Sequence, residues 1–122
     1  MASLEPKEGQ YNLNWLGKAI DLAGKHGIFV ILGTPSVAPP VLMATKYPDI
    51  LVTDENGKLY TGSTRNHYNW CSERYRGFVR DINERLAQRF GHTPYVIGWQ
   101  IDNEYSKMSF GPEAQRGWMR LA

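Results

Sequence analysis

Near the end of this chain an apolar run, Tyr95-Val96-Ile97-Gly98-Trp99-Gln100-Ile101, breaks abruptly into Asp102-Asn103-Glu104. The pattern is that of a buried strand that delivers an amide and a carboxylate to its C-terminal tip. In α/β barrels the C-terminal tips of the strands are where chemistry sits. A carboxylate on a stiff strand beside apolar walls suits general acid work, because desolvation raises its pKa. On the local pattern alone, a merely polar loop after a strand is an equally good reading. With strict alternation Glu104, Asp102 and Gln100 share one face, and Asn103, Trp99 and Ile101 the other, with Trp99 and Ile101 packed under helices.

Other residues invite chemistry less strongly. Arg65, in Arg65-Asn66-His67-Tyr68, has a rigid donor fork able to grip a hydroxyl or a carboxylate; a solvated loop with one surface ion pair explains it as well. His67, Cys71 and His92 do not match zinc spacings, so no metal site is expected. Thr34-Pro35-Ser36 offers hydroxyls for a ligand or simply for a turn. Trp70, Trp99 and Trp118 can stack on sugars, although packing is the better reading for each.

These residues need elements to position them. Leu16, Ala19, Ile20 and Ala23 form a helical stripe over residues 13–26, with Asn12 or Asn14 as a cap and Gly27 just past the end. Ile28–Leu32 then reads as a strand buried on both faces. A long irregular connection runs from about Gly33 to Cys71, with a short turn or helix at Tyr47–Leu51 and a turn at Asn56-Gly57. Ser72 caps a second helix whose face is Tyr75, Phe78, Val79, Ile82 and Leu86, and Gly91 stops it. After the strand at Tyr95–Ile101, Pro112 opens a helix with Ala114, Trp118 and Leu121 on one stripe. Met1–Leu4 looks like the end of a further strand. The alternation implies an α/β fold of parallel strands.

Composition narrows the function classes. The 122 residues are 42% hydrophobic and 21% charged, with a net charge of +2 and no Lys/Arg stripe, which argues against nucleic acid as a partner. No apolar run is long enough to span a bilayer, no secretory leader is visible, and Cys71 is the single cysteine. A reducing, cytoplasmic setting is the default expectation.

Taken in order, Leu4-Glu5-Pro6, His26-Gly27, Leu32-Gly33-Thr34-Pro35, Ala38-Pro39-Pro40, Tyr47-Pro48-Asp49-Ile50-Leu51, Arg65-Asn66-His67-Tyr68 and Gly98-Trp99-Gln100-Ile101-Asp102-Asn103-Glu104-Tyr105 resemble the catalytic domain of glycoside hydrolase family 42 β-galactosidases. The resemblance covers nearly the whole chain. It implies a partial TIM (β/α)8 barrel, from about the end of strand two to the start of helix four, forming one fragment of a single catalytic domain over residues 1–122. It also implies a retaining double displacement on terminal β-galactosides without a cofactor. Glu104 takes the place of the general acid/base, Asn103 that of a clamp on a sugar hydroxyl, and Arg65 that of a contact to the galactose subsite. Retention needs a second carboxylate about 5–5.5 Å away. In the family it comes from the seventh strand, far beyond Ala122, so the fragment alone is expected to be inactive.

Two departures stand out. The cysteines that bind zinc in some members are missing, with Asn69 in one of their slots, and Leu42 stands where a tryptophan often follows the double proline. A barrel glycosidase acting on arabinosides or galactan, or a non-catalytic sugar-binding half-barrel, are the competing readings. Homo-oligomerisation of a full-length enzyme is left open.

Overall fold

The chain folds in the order α1 (Asn14–Lys25), β1 (Val30–Gly33), α2 (Val41–Lys46), a 3₁₀ turn (Pro48–Ile50), α3 (Glu73–Phe90), β2 (Val96–Gln100) and α4 (Pro112–Met119). The computed structural model describes residues 3–36, 40–61, 67–103 and 108–120. The architecture is mixed α/β, with β1 and β2 hydrogen-bonded in parallel. Parallel neighbours need a long crossover, and the connection through α3 provides it.

The first helix ends as its glycine suggests. Gly27 has φ of +72°, the Gly27 N–H donates to Gly24 O, and the Ile28 N–H donates to Ala23 O, both at 3.0 Å. This pair of bonds is a Schellman closure, which satisfies carbonyls that the helix would otherwise leave open. The start differs from expectation. Leu13 occupies the N-cap and no side chain caps the helix. Asn14 is already helical, and the Asn12 N–H is spent on Leu4 O at 2.7 Å. Packing of Leu16 and Ile20 holds α1 instead; Ala23 is half-buried and Ala19 is exposed. The other early expectation also changes, because Ser3 and Leu4 form a turn, with Leu4 buried, and Met1 and Ala2 lie outside the described residues.

The strand expected at Ile28–Leu32 begins two residues later and is buried on one face only. Leu32 is 7% exposed, whereas Phe29, Ile31 and Ile97 are 62%, 65% and 63% exposed. Leu32 packs with Ile20 of α1 and Ile82, Leu86 and Phe90 of α3. Both helices therefore cover the same side of the sheet, and the opposite side stays open.

Pairing is Val30 with Val96, then Ile31 with Gly98, Leu32 with Trp99 and Gly33 with Gln100. Ile97 is thus an unmatched extra residue in β2. An extra residue of this kind disrupts the ladder locally and shifts the side-chain alternation. Trp99 packs against the helix-side core as expected, but Ile101 is 72% exposed and does not lie under a helix.

Helix α3 links two cores. Its C-terminal half contributes Ile82, Leu86 and Phe90 to the core beneath the sheet. Its N-terminal half contributes Tyr75, Phe78 and Val79 to a second core with Met43, Ile50, Leu51 and Tyr68. The Ser72 hydroxyl caps α3, accepting from the Tyr75 N–H at 3.2 Å, and Gly91 closes it. The expected helix and both of its signals are therefore present.

The connection from Gly33 to Cys71 is more ordered than its composition suggests. The short helical turn at Pro48–Ile50 is found where expected. Helix α2 is an addition, since six residues are too few to show a period, and its Leu42 is exposed. Isolated antiparallel bridges join Leu51 to Tyr68 and Thr53 to Leu59 around a turn in which Gly57 has φ of +79°. Such long-range pairs leave no repeating signature in the sequence. Pro112 sits at the first turn of α4 as expected. Ala114 is buried, Trp118 is 72% exposed, and Leu121 lies outside the described residues.

Two helical glycines make opposite predictions. A Cβ on Gly24 would collide with the base and ring of Tyr95, well inside van der Waals distance. A Cβ on Gly77 meets nothing within 4 Å. Alanine gains about 1 kcal/mol over glycine in a helix interior, while overpacking costs about 1–3 kcal/mol. Gly77→Ala is expected to raise the unfolding midpoint of the protein, and Gly24→Ala to lower it despite the same intrinsic gain. Equal shifts in both variants would show that Tyr95 moves aside freely.

Candidate functional site

The C-terminal tips of β1 and β2 are joined by a buried carboxylate. Asp102 lies two residues beyond β2 and is 3% exposed. Its φ of +55° makes it the one non-glycine among the described residues with positive φ. Aspartate tolerates this left-handed conformation better than most side chains do. The turn of the backbone there, together with the extra residue at Ile97, defeats strict alternation. Gln100 is exposed while Asp102 is buried, so the face expected to be common to both does not exist.

The partners of Asp102 come from several elements. The Ser36 hydroxyl donates to Oδ2 at 2.7 Å, and the Tyr68 hydroxyl donates to Oδ1 at 3.5 Å, the outer limit for such a bond. The Asn103 N–H donates to Oδ1. The Asp102 N–H donates to Thr34 Oγ1 at 2.7 Å. Since Ser36 spends its only proton on the carboxylate, the 3.4 Å contact between Thr34 Oγ1 and Ser36 Oγ is donated by Thr34. The Thr34 N–H extends the ladder to Gln100 O at 2.9 Å. The hydroxyls of Thr34-Pro35-Ser36 are therefore used within the protein to bind the two tips together.

Aromatic packing supports this junction from below. Tyr68 and Tyr75 stack with centroids 5.0 Å apart and planes 9° from parallel, and Trp70 meets both edge-on. Tyr75 is fully buried and its hydroxyl donates to Ser36 O. The stack thus holds two hydroxyls, one on Asp102 and one on the backbone of the β1 tip. Trp70 serves packing, and Trp99 lines the other core.

Of the three sequence-designated residues, Asn103 is described, and Glu104 and Arg65 lie outside the described residues. Asn103 is half-buried and follows Asp102 directly. Gln100 Nε2 donates to Asp102 O at 3.1 Å and to Asn103 Oδ1 at 3.2 Å. Sequence reasoning overlooked Asp102, Ser36 and Gln100 as a framework. A charged residue closing an apolar run was the available signal.

Elsewhere, a charged cleft of about 410 Å³ lies between the start of α3 and α4, with Arg74 paired to Asp49 and Arg116 to Glu113. Cys71 on its wall is half-buried. No group of three or more His, Cys, Asp or Glu side chains among the described residues is placed to hold a metal. No helix among them is long and apolar enough to cross a membrane.

Asp102→Asn tests the junction, because asparagine also accepts positive φ while the charge and one of the two acceptor oxygens are lost and an amide NH2 is turned toward a donor. An unsatisfied buried donor costs about 1–3 kcal/mol. The protein is expected to lose stability in that range in a denaturant titration; a change below about 0.5 kcal/mol would mean that the carboxylate does not bind the tips together.

The glycoside hydrolase 42 family model, described as beta-galactosidase, matches residues 1–121. Beta-galactosidase BglY of Alicyclobacillus acidocaldarius is 39% identical over 121 residues, covering 97% of this chain and 18% of that protein. Beta-galactosidase BbgII of Bifidobacterium bifidum is 32% identical, covering 98% and 18%. Among solved structures, the cold-adapted beta-galactosidase from Rahnella sp. R3 superposes with a TM-score of 0.92 at 35% identity, covering 98% of this chain and 18% of that one. The beta-galactosidase of Halorubrum lacusprofundi gives 0.89 at 33%, covering 98% and 19%. The chain spans about 18% of the length of the curated relatives it matches. With a family model matched over residues 1–121 and a mixed α/β structure that superposes on these relatives, the chain belongs to the glycoside hydrolase 42 beta-galactosidase family.

Proposed function

We propose that this segment is part of a (β/α)8 barrel, from the end of strand two to the start of helix four, in a retaining glycosidase that removes terminal β-galactosyl residues. The observation that carries the reading is the Asp102 junction, which presents Asn103, and so the start of Asn103-Glu104, at the C-terminal tips of adjacent parallel strands. That is the end at which barrel enzymes act. The open sheet face, with Phe29, Ile31 and Ile97 exposed, supports it as well, since the inner layer of a barrel is filled by such side chains from the other strands.

In this mechanism a carboxylate from outside the segment attacks the anomeric carbon while protonated Glu104 gives its proton to the departing oxygen. A galactosyl ester forms and the aglycone leaves as an alcohol. Glu104, now ionised, takes a proton from water as the water attacks the same carbon, and the ester carboxylate is released. Asn103 holds a sugar hydroxyl near the reacting carbon, and Arg65 binds in the galactose subsite through its donor fork. The identity of all the curated relatives above as beta-galactosidases favours galactosides over arabinosides or galactan as substrate.

General acid/base catalysis contributes about 10²–10⁴-fold. In the full-length protein, Glu104→Gln is expected to lower hydrolysis of an alkyl β-galactoside in that range. It should affect the first step far less with a dinitrophenyl leaving group, which departs without protonation. Equal losses in kcat/KM, which reports the first step, on both substrates would remove Glu104 from the proton-donor role. The isolated 122 residues are expected to show no hydrolysis of a chromogenic β-galactoside. Turnover by the fragment that disappears on Glu104→Gln would overturn the assignment of the nucleophile to a segment outside it.

A further inference from the structure

We infer that Gln100 is a positioning residue that dictates which end of the Asn103 amide faces the sugar. The inference rests on the proposed contact between Asn103 and a sugar hydroxyl and goes one step beyond it. Asp102 O can only accept, so the end of the Gln100 amide that lies 3.1 Å from it is Nε2. The same Nε2 lies 3.2 Å from the Asn103 side-chain amide. A donor must face an acceptor, so that atom is Asn103 Oδ1. The two hydrogens of Gln100 Nε2 are then matched to two oxygens, and the Asn103 amide has one orientation consistent with the network.

The consequence is chemical. Asn103 Oδ1 already accepts one hydrogen bond within the protein and is held toward Gln100, so Nδ2 is the end of the amide turned toward a ligand. Among the described residues no hydrogen bond to Nδ2 is found. Asn103 therefore donates to the sugar, and its partner is a hydroxyl oxygen accepting through a lone pair. That hydroxyl keeps its own proton for a separate acceptor. A free amide would sample both orientations, and in one of them Oδ1 would compete for the hydroxyl proton. Fixing the orientation in advance avoids that reorganisation during the reaction. The Asn103 backbone is held in the same way, because its N–H is bound to Asp102 Oδ1. Gln100 and Asp102 thus hold the side chain and the main chain of one residue.

A double-mutant cycle in the full-length protein tests the inference. Gln100→Met keeps the side chain's length and removes the donor. It is expected to lower kcat/KM for a β-galactoside about tenfold with Asn103 present, and less than about twofold in an Asn103→Ala background. The thermal midpoint should be nearly unchanged, which a purely structural role would not allow. The same loss in both backgrounds, or no loss in either, overturns the inference. An Asn103→Ala variant with full activity overturns the underlying sugar contact and the inference together, and is distinguishable by that single measurement. Gln100→Glu, which retains the shape but replaces the donor by an acceptor, is carried through the same cycle and decides the matter if the methionine variant fails to fold. Its loss is expected to be larger, about a hundredfold, and again confined to proteins that retain Asn103.

Discussion

The geometry at the strand tips depends on one buried carboxylate in an unusual backbone conformation. Asp102 sits where an apolar strand must stop and the chain must turn, at φ of +55° and 3% exposure. Each of these conditions alone is unfavourable: burial disfavours an unpartnered charge, and positive φ disfavours most side chains. The hydroxyl of Ser36, the hydroxyl of Tyr68 and the following backbone N–H offset both. Those donors belong to the tip of β1, to the loop before α3 and to the chain just past β2. The carboxylate therefore makes the end of one strand, a loop and the end of another mutually dependent, and the residue it displays, Asn103, inherits its place from all three.

The supporting layers are arranged to keep that junction in register. Helix α3 contributes to both hydrophobic cores, so the sheet and the long connection share one rigid support. Its buried Tyr75 reaches the β1 tip through the carbonyl of Ser36. Stacking of Tyr68 on Tyr75 then fixes the second hydroxyl. Aromatic pairs of this geometry are worth about 0.5–1.5 kcal/mol beyond their burial. The larger effect here is directional, because a ring held between two others points its hydroxyl one way.

Much of this was legible in the residues, and the failures have identifiable causes. The helices at Asn14–Lys25 and Glu73–Phe90 are long and periodic, and Gly27 and Ser72 end or begin them through local bonds that a sequence displays directly. Helix α2 and the bridges of Leu51 with Tyr68 and Thr53 with Leu59 are too short or too distant in sequence to leave a pattern. The face shared by Gln100 and Asp102, and the burial of Ile101, failed for a different reason. Alternation propagates from residue to residue, and one unmatched residue at Ile97 followed by one left-handed residue at Asp102 resets it twice within six positions. The resemblance singled out Asn103, and the backbone irregularities that place it were invisible to a period-two count.

The two sides of the sheet carry different obligations. On the helix side, Leu32 and Trp99 are packed by α1 and α3, and that burial holds the strands together. On the other side Phe29, Ile31 and Ile97 are mostly in water, with Ile101 beyond them at 72% exposure. A buried aliphatic or aromatic side chain contributes roughly 1.5–3 kcal/mol, so these residues withhold several kcal/mol from a fold whose net stability is of order 5–15 kcal/mol. On the barrel reading, the strands that would cover this face are also those that would bring the second carboxylate toward Glu104. Stability and catalysis are then completed by the same event. What Asp102 fixes within this segment is the Asn103 backbone at the strand tips, and on that reading the open face and the site beside it are closed by the same strands.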